Sequence, residues 1–316
     1  MYPIYETASK KSSEPMTSNL FIEPKDNTGV WRVGTSGWSY PPQTGPGSWT
    51  GVFYPLSKTD ELKFYSRYFN AVEINSTFYR PCHPKTAESW VRRTPDDFEF
   101  TVKAWQQFTH KKGDWTPAEV EEFKSGILPL MEADKLGCIL FQFPASFRHT
   151  PETMDQLKSL LELFAEYPKA VELRHRSWGD ALPTLQAFDS VPAFIDEPKF
   201  KDSIRQDIET VGGRLLYLRF HGRKFDKWWR HEHRSERYDY LYRPEEIEPY
   251  VIRLKSILES KDIQRAYIFF NNHPGAKAVA NAVIMRAQLG IPVTGELPEK
   301  FVQTYPEMRD VLGPSS

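Results

Sequence analysis

Charged and amide side chains recur where short apolar runs of this chain end. In several runs apolar residues alternate with polar ones, as in the segments 72–75, 171–174 and 216–221. Carboxylates and imidazoles can transfer protons near neutral pH, while arginine and lysine can hold an anion and stabilise developing negative charge. The alternation predicts one polar face made of Glu73, Asn75, Lys103, Gln142, Glu172, Arg174, Asp196, Arg219, His221 and Asn271.

The side chains of this polar face have predicted roles. Glu172 or Glu73 is expected to act as the general base and His221 as the general acid. Lys103 completes the predicted catalytic group as a cation that stabilises developing charge. The residues predicted to bind the substrate or its anionic group are Asn75, Trp105, Arg174, Asp196, Arg219, Arg223, Asn271 and Asn272.

Eight short runs rich in β-branched and aromatic residues alternate with amphipathic helical segments. Repeated β–α order indicates a parallel sheet, and eight such units can close into a barrel. Some helical segments begin with clear signals, such as the capping box Thr116-Pro117-Ala118-Glu119. The predicted fold class is α/β, a single (β/α)8 TIM barrel with strands at 31–36, 71–75, 98–103, 137–143, 169–174, 191–196, 214–220 and 265–271.

The polar positions are predicted to face the barrel axis at the carboxyl ends of these strands. Residues i and i+2 of a strand share a face, so if Val72 and Ile74 pack against helices, Glu73 and Asn75 point inward. Buried charges are costly unless they are paired, so the inward groups either form a neutral network that plugs the barrel or line an open ligand site. We expect the ligand site, because polar residues at the carboxyl ends of barrel strands usually make one.

The loops after the seventh and eighth strands indicate a phosphate site. Segments 222–224 and 271–275 occupy the usual phosphate position of this fold and contain glycines with charge nearby. Segment 222–243 is basic and interleaved with aromatic residues, and Lys111 and Lys112 carry further charge. This pattern suits single-stranded or distorted nucleic acid. A solvated loop with internal ion pairs is the alternative.

Seven of the nine tryptophans lie in loops that follow strands. Exposed aromatic planes can stack on sugars or on nucleobases, at about 1–3 kcal/mol per base. The alternative is that these side chains pack the long loops against one another. The seven are Trp38, Trp49, Trp105, Trp115, Trp178, Trp228 and Trp229.

Composition limits the class of protein. The 316 residues carry a formal net charge of −1, so any preference for an anionic partner must come from a local patch. The two cysteines are far apart, and no run reaches the roughly 18 apolar residues of a membrane span. We expect a cytoplasmic protein without a membrane partner, in which residues 1–28 are a flexible extension and 29–316 form the barrel domain; the oligomeric state is left open.

Several motifs resemble those of a known family. VGTSGWSY, AVEINSTFYR, ILFQFP, VELRHRSW, LYLRFHGR and FFNNH occur in this order within the segment from about residue 30 to 290. They resemble the domain-of-unknown-function 72, or YecE-like, family. The resemblance implies a (β/α)8 barrel but no activity, because the family is named for lacking one. Its similarity to the barrels of endonuclease IV and xylose isomerase is an analogy of fold alone.

The favoured interpretation is a hydrolase or phosphodiester-processing enzyme that acts on a phosphate-bearing small molecule, nucleotide or nucleic acid. A non-catalytic module could instead grip a nucleic acid or phosphorylated ligand with the same face. A carbohydrate-processing enzyme could use Glu73, Glu172 and Asp196. A divalent metal could draw on these carboxylates and His221, although the nearby lysine and arginines would repel a cation. No resident metal or cofactor is assigned from the sequence.

Overall fold

The strands confirm the predicted barrel. A computed structural model describes residues 29–42, 47–111, 113–210, 212–228, 232–293 and 295–308. The predicted extension 1–28 lies outside the described residues, as do Lys112 and Trp229. Eight parallel strands form one nearly closed sheet in the order β1-β8-β7-β6-β5-β4-β3-β2. They are β1 (Trp31–Thr35), β2 (Ala71–Ile74), β3 (Glu99–Lys103), β4 (Leu136–Gln142), β5 (Lys169–Glu172), β6 (Ser190–Asp196), β7 (Leu215–Phe220) and β8 (Arg265–Phe270).

Helices connect most of the strands and cover the outside of the sheet. The predicted capping box is confirmed at Thr116, whose side chain accepts from the backbone N–H of Glu119, and Thr150 begins the next helix in the same way with Thr153. The α-helices are α1 (Glu61–Tyr65), α2 (Pro84–Arg92), α3 (Gln106–Thr109), α4 (Pro117–Glu132), α5 (Pro151–Leu163), α6 (Pro244–Ser260), α7 (Lys277–Leu289) and α8 (Glu299–Thr304).

Short 3₁₀ segments replace some expected helices. Arg176–Phe188 connects β5 to β6, and Ser76–Phe78 follows β2. Between β6 and β7 the described residues contain only the single turn Ile208–Thr210. The outer side of these two strands is therefore covered mainly by α6 and an extended segment, which leaves a groove of about 550 Å³.

The barrel has an apolar layer inside the sheet and a larger one between the sheet and the helices. Inside, aromatic residues of β7 and β8 meet small residues of other strands, so the narrow interior is filled. This inner layer contains Ala71, Cys138, Leu140, Ala170, Val191, Ala193, Tyr217, Tyr267 and Phe269. Above it, at the carboxyl ends of the strands, the inward positions become polar.

Candidate ligand site at the barrel mouth

Arg219 lies between two carboxylates at the base of the site. Its Nε and Nη2 donate to the two oxygens of Glu73 at 2.9 and 2.6 Å, and its Nη1 donates to Glu172. All three side chains are buried, so the parity of β2, β5 and β7 was predicted correctly. Burial alone would raise the pKa of Glu73, but the charge and hydrogen bonds of Arg219 outweigh it and lower that pKa.

Glu172 connects the buried Arg219 at the bottom of the site to the open end of the barrel. Its Oε1 accepts from Nε of Arg174 at 2.7 Å, and its Oε2 lies 3.6 Å from Nε2 of His221. Burial opposes ionisation, yet Arg174 and Arg219 together hold the pKa of Glu172 well below its usual range. The same burial, with the charge of Arg219, lowers the pKa of His221. At neutral pH Glu172 is therefore an ionised structural partner, which makes it a weak base for catalysis.

The upper part of the inward set is partly exposed. Asn75, Lys103, Arg174 and Asn271 are half-buried, whereas Glu73, Glu172, Arg219 and His221 are fully buried. Asn271 also orients the histidine, because its Nδ2 lies 3.0 Å from Nδ1 of His221. An ion-pair network therefore closes the bottom of the barrel mouth, and a polar rim is partly exposed above it.

Lys103 differs from the other charged residues of the rim. Its Nζ lies 4.1 Å from the ring centroid of Phe78, a residue in the 3₁₀ turn after β2. Burial and the positive charge of Arg219 lower the pKa of Lys103 to about 7. At neutral pH a substantial fraction of this amine is uncharged.

The prediction that Asp196 faces the barrel axis is wrong. Its oxygens accept from Arg223 at 2.9 and 2.8 Å and from Tyr242 at 2.6 Å, and it lines the outer groove between β6, β7 and α6. Asp196 shares the outer face with Phe194, because the small side chain of Ala193 faces inward. The sequence prediction took Ile195 as facing the helices and Asp196 as facing the barrel axis, and these two orientations are the reverse of those in the structure.

Arg223 and Asn272 are not brought to the rim with Arg174. Arg223 is held in the outer groove by Asp196 and, at 3.2 Å, by Glu246. Asn272 is buried, and its Nδ2 donates to Oδ1 of Asn281 at 2.8 Å and to a backbone carbonyl oxygen. Its observed contacts anchor the loop after β8 to α7.

The aromatic residues mostly pack the loops, as the alternative interpretation predicted. Trp49 and Trp178 are fully buried, and their indole N–H groups donate to backbone carbonyls at 2.7 and 2.8 Å. Trp228 is also buried. Trp105 is half-buried at the end of β3, where its Nε1 donates to the carbonyl of Tyr79 at 3.2 Å. Among the described members of the set, Trp105 is the one assigned to the site.

Three further residues of the site, Tyr217, Thr101 and Glu197, were not predicted as site residues from the sequence. Tyr217 donates to Glu73 at 2.7 Å and contacts the hydroxyl of Thr101 at 2.9 Å, so it closes the network from below. Glu197 is buried and lies 3.5 Å from Arg174. The inward parity of Tyr217, two residues before Arg219, was a usable signal; Glu197 follows the strand end, where parity no longer applies.

The four potential metal ligands of the sequence analysis are not assembled. Glu73 and Glu172 are bound to Arg219, and Asp196 lies in the outer groove. In the part of the chain that the structure describes, no group of three or more His, Cys, Asp or Glu side chains has an arrangement that could hold a metal. The arrangement at the rim instead offers an amine, a guanidinium and two amides to a ligand.

Comparison with known proteins assigns the family. The family described as "Protein of unknown function DUF72" matches residues 32–304. The chain belongs to this family. It is 29% identical over 291 residues to the UPF0759 protein YunF of Bacillus subtilis (strain 168), covering 85% of this chain and 98% of YunF. It is 34% identical over 117 residues to the UPF0759 protein YecE of Escherichia coli (strain K12), which covers 36% of this chain and 41% of YecE.

Crystal structures of DUF72 proteins share the fold. A DUF72 protein of Thermotoga maritima MSB8 is 32% identical, with a TM-score of 0.72 over 83% of this chain and 99% of that one. A DUF72 protein of Enterococcus faecalis V583, 24% identical, has a TM-score of 0.71 over 85% of this chain and 100% of that one. Within the described residues, no helix is both long enough and apolar enough to cross a bilayer.

Proposed function

We propose that the barrel mouth binds a small phosphate-bearing ligand and that this DUF72 protein is an enzyme acting on it. One observation supports this proposal: the inward charges are separated by sign. The acids Glu73 and Glu172 are fully buried, whereas the partly exposed charged side chains of the inward set, Lys103 and Arg174, are basic. A ligand that enters the mouth therefore meets basic groups first, with Asn75 and Asn271 beside them as amide donors.

A small ligand fits these contacts better than a nucleic acid. Two cations of the basic segment 222–243 are compensated within the protein, since Lys227 pairs with Glu236 at 3.0 Å and Arg223 pairs with Asp196. Trp228, a predicted stacking residue, is buried. Nucleic-acid binding requires accessible cations along an extended path. Non-catalytic binding of a phosphorylated ligand is the nearest rival proposal.

Carbohydrate cleavage is not favoured by any contact at the rim. A retaining glycosidase needs one carboxyl group that is protonated at working pH and a second one as nucleophile. Both Glu73 and Glu172 are engaged by Arg219, and each has a lowered pKa. The third proposed carboxylate, Asp196, lies in the outer groove.

The proposal is tested by calorimetric titration of the full chain with ribose 5-phosphate, with ribose as the ligand control. We expect saturable binding of the phosphate ester only. Arg174→Lys keeps a positive charge beside Glu172 but loses the guanidinium group. The Nε and Nη2 of Arg174 are already engaged by Glu172, and its remaining N–H groups are the proposed phosphate donors, so affinity should fall about tenfold. Arg176→Gln is the matched control, because Arg176 lies in the same loop but is exposed and pairs with Asp202 at 3.1 Å.

Absence of binding at millimolar concentration for ribose 5-phosphate, nucleoside monophosphates and inorganic phosphate would overturn the phosphate proposal. Equal losses in Arg174→Lys and Arg176→Gln would place the ligand elsewhere. Ligands that bind are then incubated with the protein, and their products are followed by NMR. Tight binding with no chemical change would favour the binding module over the enzyme.

A further inference from the structure

Four lysines in the described residues have a pKa that burial lowers, and they differ in what their amino groups contact. Lys135 and Lys169 each donate to several backbone carbonyl oxygens, at shortest distances of 2.7 and 2.9 Å. Lys199 donates to the carbonyl of Ile195 at 3.2 Å. Several acceptors surround the ammonium groups of Lys135 and Lys169, which therefore have structural roles, and one carbonyl holds the ammonium group of Lys199.

Lys103 lacks such acceptors. Among the described residues, neither a carboxylate at ion-pair distance nor a hydrogen-bond acceptor contacts its Nζ, which lies against the ring of Phe78. The backbone at this position is fixed, because the hydroxyl of Thr77 donates to the carbonyl of Lys103 at 2.7 Å. The amine is thus held at the carboxyl end of β3, half-buried and facing the site, with its nitrogen available to a ligand.

Some of the charged groups around Lys103 lower its pKa and others raise it. The positive charges of Arg219 and Arg174 disfavour its protonation, and the negative charges of Glu172 and Glu73 favour it. Burial, together with the arginines, outweighs the carboxylates, and the pKa falls to about 7. His110, which follows β3, has a pKa lowered to about 4 by burial and by the charge of Lys103, so it is neutral at pH 7. The groups that face the amine are Glu73 of β2, His110 after β3, Glu172 of β5, Arg174 after β5 and Arg219 of β7.

We propose that Lys103 is a nucleophilic amine that forms an imine with the carbonyl carbon of a phosphorylated aldehyde or ketone. This inference rests on the proposed function, because it names the substrate class of the same site. A desolvated lysine beside other cations is a recognised route to such a nucleophile. Arg174, at the same rim, would hold the phosphate group while the amine attacks.

The step balances without a further reagent. The lone pair of Nζ forms a bond to the carbonyl carbon, and the π electrons of the C=O bond move to oxygen. The oxygen takes up a proton and the nitrogen releases one, which gives a carbinolamine. A second proton on the oxygen allows water to leave as the nitrogen lone pair forms the C=N bond. The net reaction converts the neutral amine, the carbonyl compound and one proton into a protonated imine and water.

The test uses pyridoxal 5′-phosphate and pyridoxal as probes on the full chain. Imine formation is followed by absorbance, the imine is reduced with borohydride, and the modified lysine is identified by peptide mapping. We expect Lys103 to react at least about tenfold faster than Lys199, with a rate that rises with pH through a midpoint of about 7. Lys103→Met should abolish the fast phase, while Lys199→Met, the matched partly buried lysine, should keep it.

The outcomes separate this inference from the phosphate proposal. Equal rates for pyridoxal and its phosphate at Lys103 would support the imine and contradict the phosphate site. Binding of ribose 5-phosphate without labelling of Lys103 would support the phosphate site and overturn the imine. Lys103→Arg keeps a basic side chain at this position, but a guanidinium is no nucleophile at neutral pH, so the variant should lose the fast phase. Fast labelling that persists in that variant would also overturn the inference.

Discussion

Glu172 links two arginines and a histidine in the buried part of the site. Arg219, Arg174 and His221 all contact its carboxylate, and the side chain has no exposed surface. Removing one partner from such a network is costly, because the remaining charges are buried and cannot be hydrated. At the scale of single residues, Glu172 is therefore a structural centre of the site.

We expect Glu172→Gln to lower the free energy of unfolding by about 3–5 kcal/mol, because it leaves buried guanidinium charge uncompensated. Urea denaturation at pH 7 measures the effect, and Glu121→Gln on the exposed side of α4 is the control, with a change near zero. Unchanged stability with loss of turnover would contradict the structural role and support Glu172 as a catalytic base.

The same variant should change the response to acid. The folded-state pKa of Glu172 is lowered, so its contribution to stability is complete above its unfolded pKa of about 4.3 and is lost as the pH falls towards the folded value. Wild-type stability should therefore drop steeply below about pH 5, whereas Glu172→Gln should show a shallower dependence. Parallel pH profiles for the two proteins would contradict this assignment.

The sequence was sufficient for some residues of the site and not for others. The inward orientation of Glu73 and Arg219 was predicted correctly because each lies between clear outward apolar residues of its strand. Asp196 was assigned to the wrong side because Ala193, Phe194 and Ile195 are all apolar, and periodicity cannot then say which face is inward. The sequence also did not predict that the acids Glu73 and Glu172 are buried while the basic Lys103 and Arg174 are partly exposed, because the alternation of residue types does not show how deep a side chain lies.

At the scale of elements, a tyrosine joins the two edge strands of the sheet. The hydroxyl of Tyr65, from α1, accepts from the backbone N–H of Thr35 at 2.8 Å and donates to the carbonyl of Ala71 at 3.2 Å. This contact requires glycine at position 34, since a Cβ there would lie 2.0 Å from the Ala71 oxygen and would clash with it. A hydroxyl thus replaces part of the backbone ladder between β1 and β2.

We expect Tyr65→Phe to destabilise the protein by about 1–3 kcal/mol, because a buried amide and a buried carbonyl lose their partner. Tyr79→Phe, at an exposed tyrosine, is the control and should be neutral. Hydrogen exchange of the Thr35 amide should also become faster in Tyr65→Phe. Normal protection of that amide would indicate that β1 and β2 pair directly when the hydroxyl is removed.

Element positions were largely predictable from sequence, and connections less so. All eight strands and the start of α4 at Pro117 follow from local patterns of apolar, proline and capping residues. The extended segment between β6 and β7 was not predicted, because the fold as a rule has a helix after each strand and this chain departs from that rule. The role of Tyr65 was also missed, since a contact from helix to strand edge has no local sequence signature.

At the scale of the whole molecule, the net charge is close to zero, so attraction of an anionic ligand must come from local groups of charged side chains. The −1 charge gives little long-range attraction for a polyanion, and Arg223 and Lys227 of segment 222–243 are paired within the protein. Phe225 is exposed and stacks on Phe200 at 4.8 Å between ring centroids, which makes it an available platform for a nucleobase. The two proposed ligand classes therefore predict different results for the intact protein.

We expect ribose 5-phosphate to bind more tightly than any 12-nucleotide single strand at about physiological salt. At that salt concentration, interactions between exposed charges are screened beyond about 8 Å, so only local contacts contribute. Fluorescence anisotropy over a range of salt concentrations measures the oligonucleotide. Its log affinity falls by about 0.7 per phosphate contact as log salt rises, because contacts release condensed counterions. Phe225→Ala should leave ribose 5-phosphate binding unchanged. A steep salt dependence, with a loss of about 1–3 kcal/mol in Phe225→Ala, would instead establish nucleic acid as the ligand, because base stacking has that magnitude.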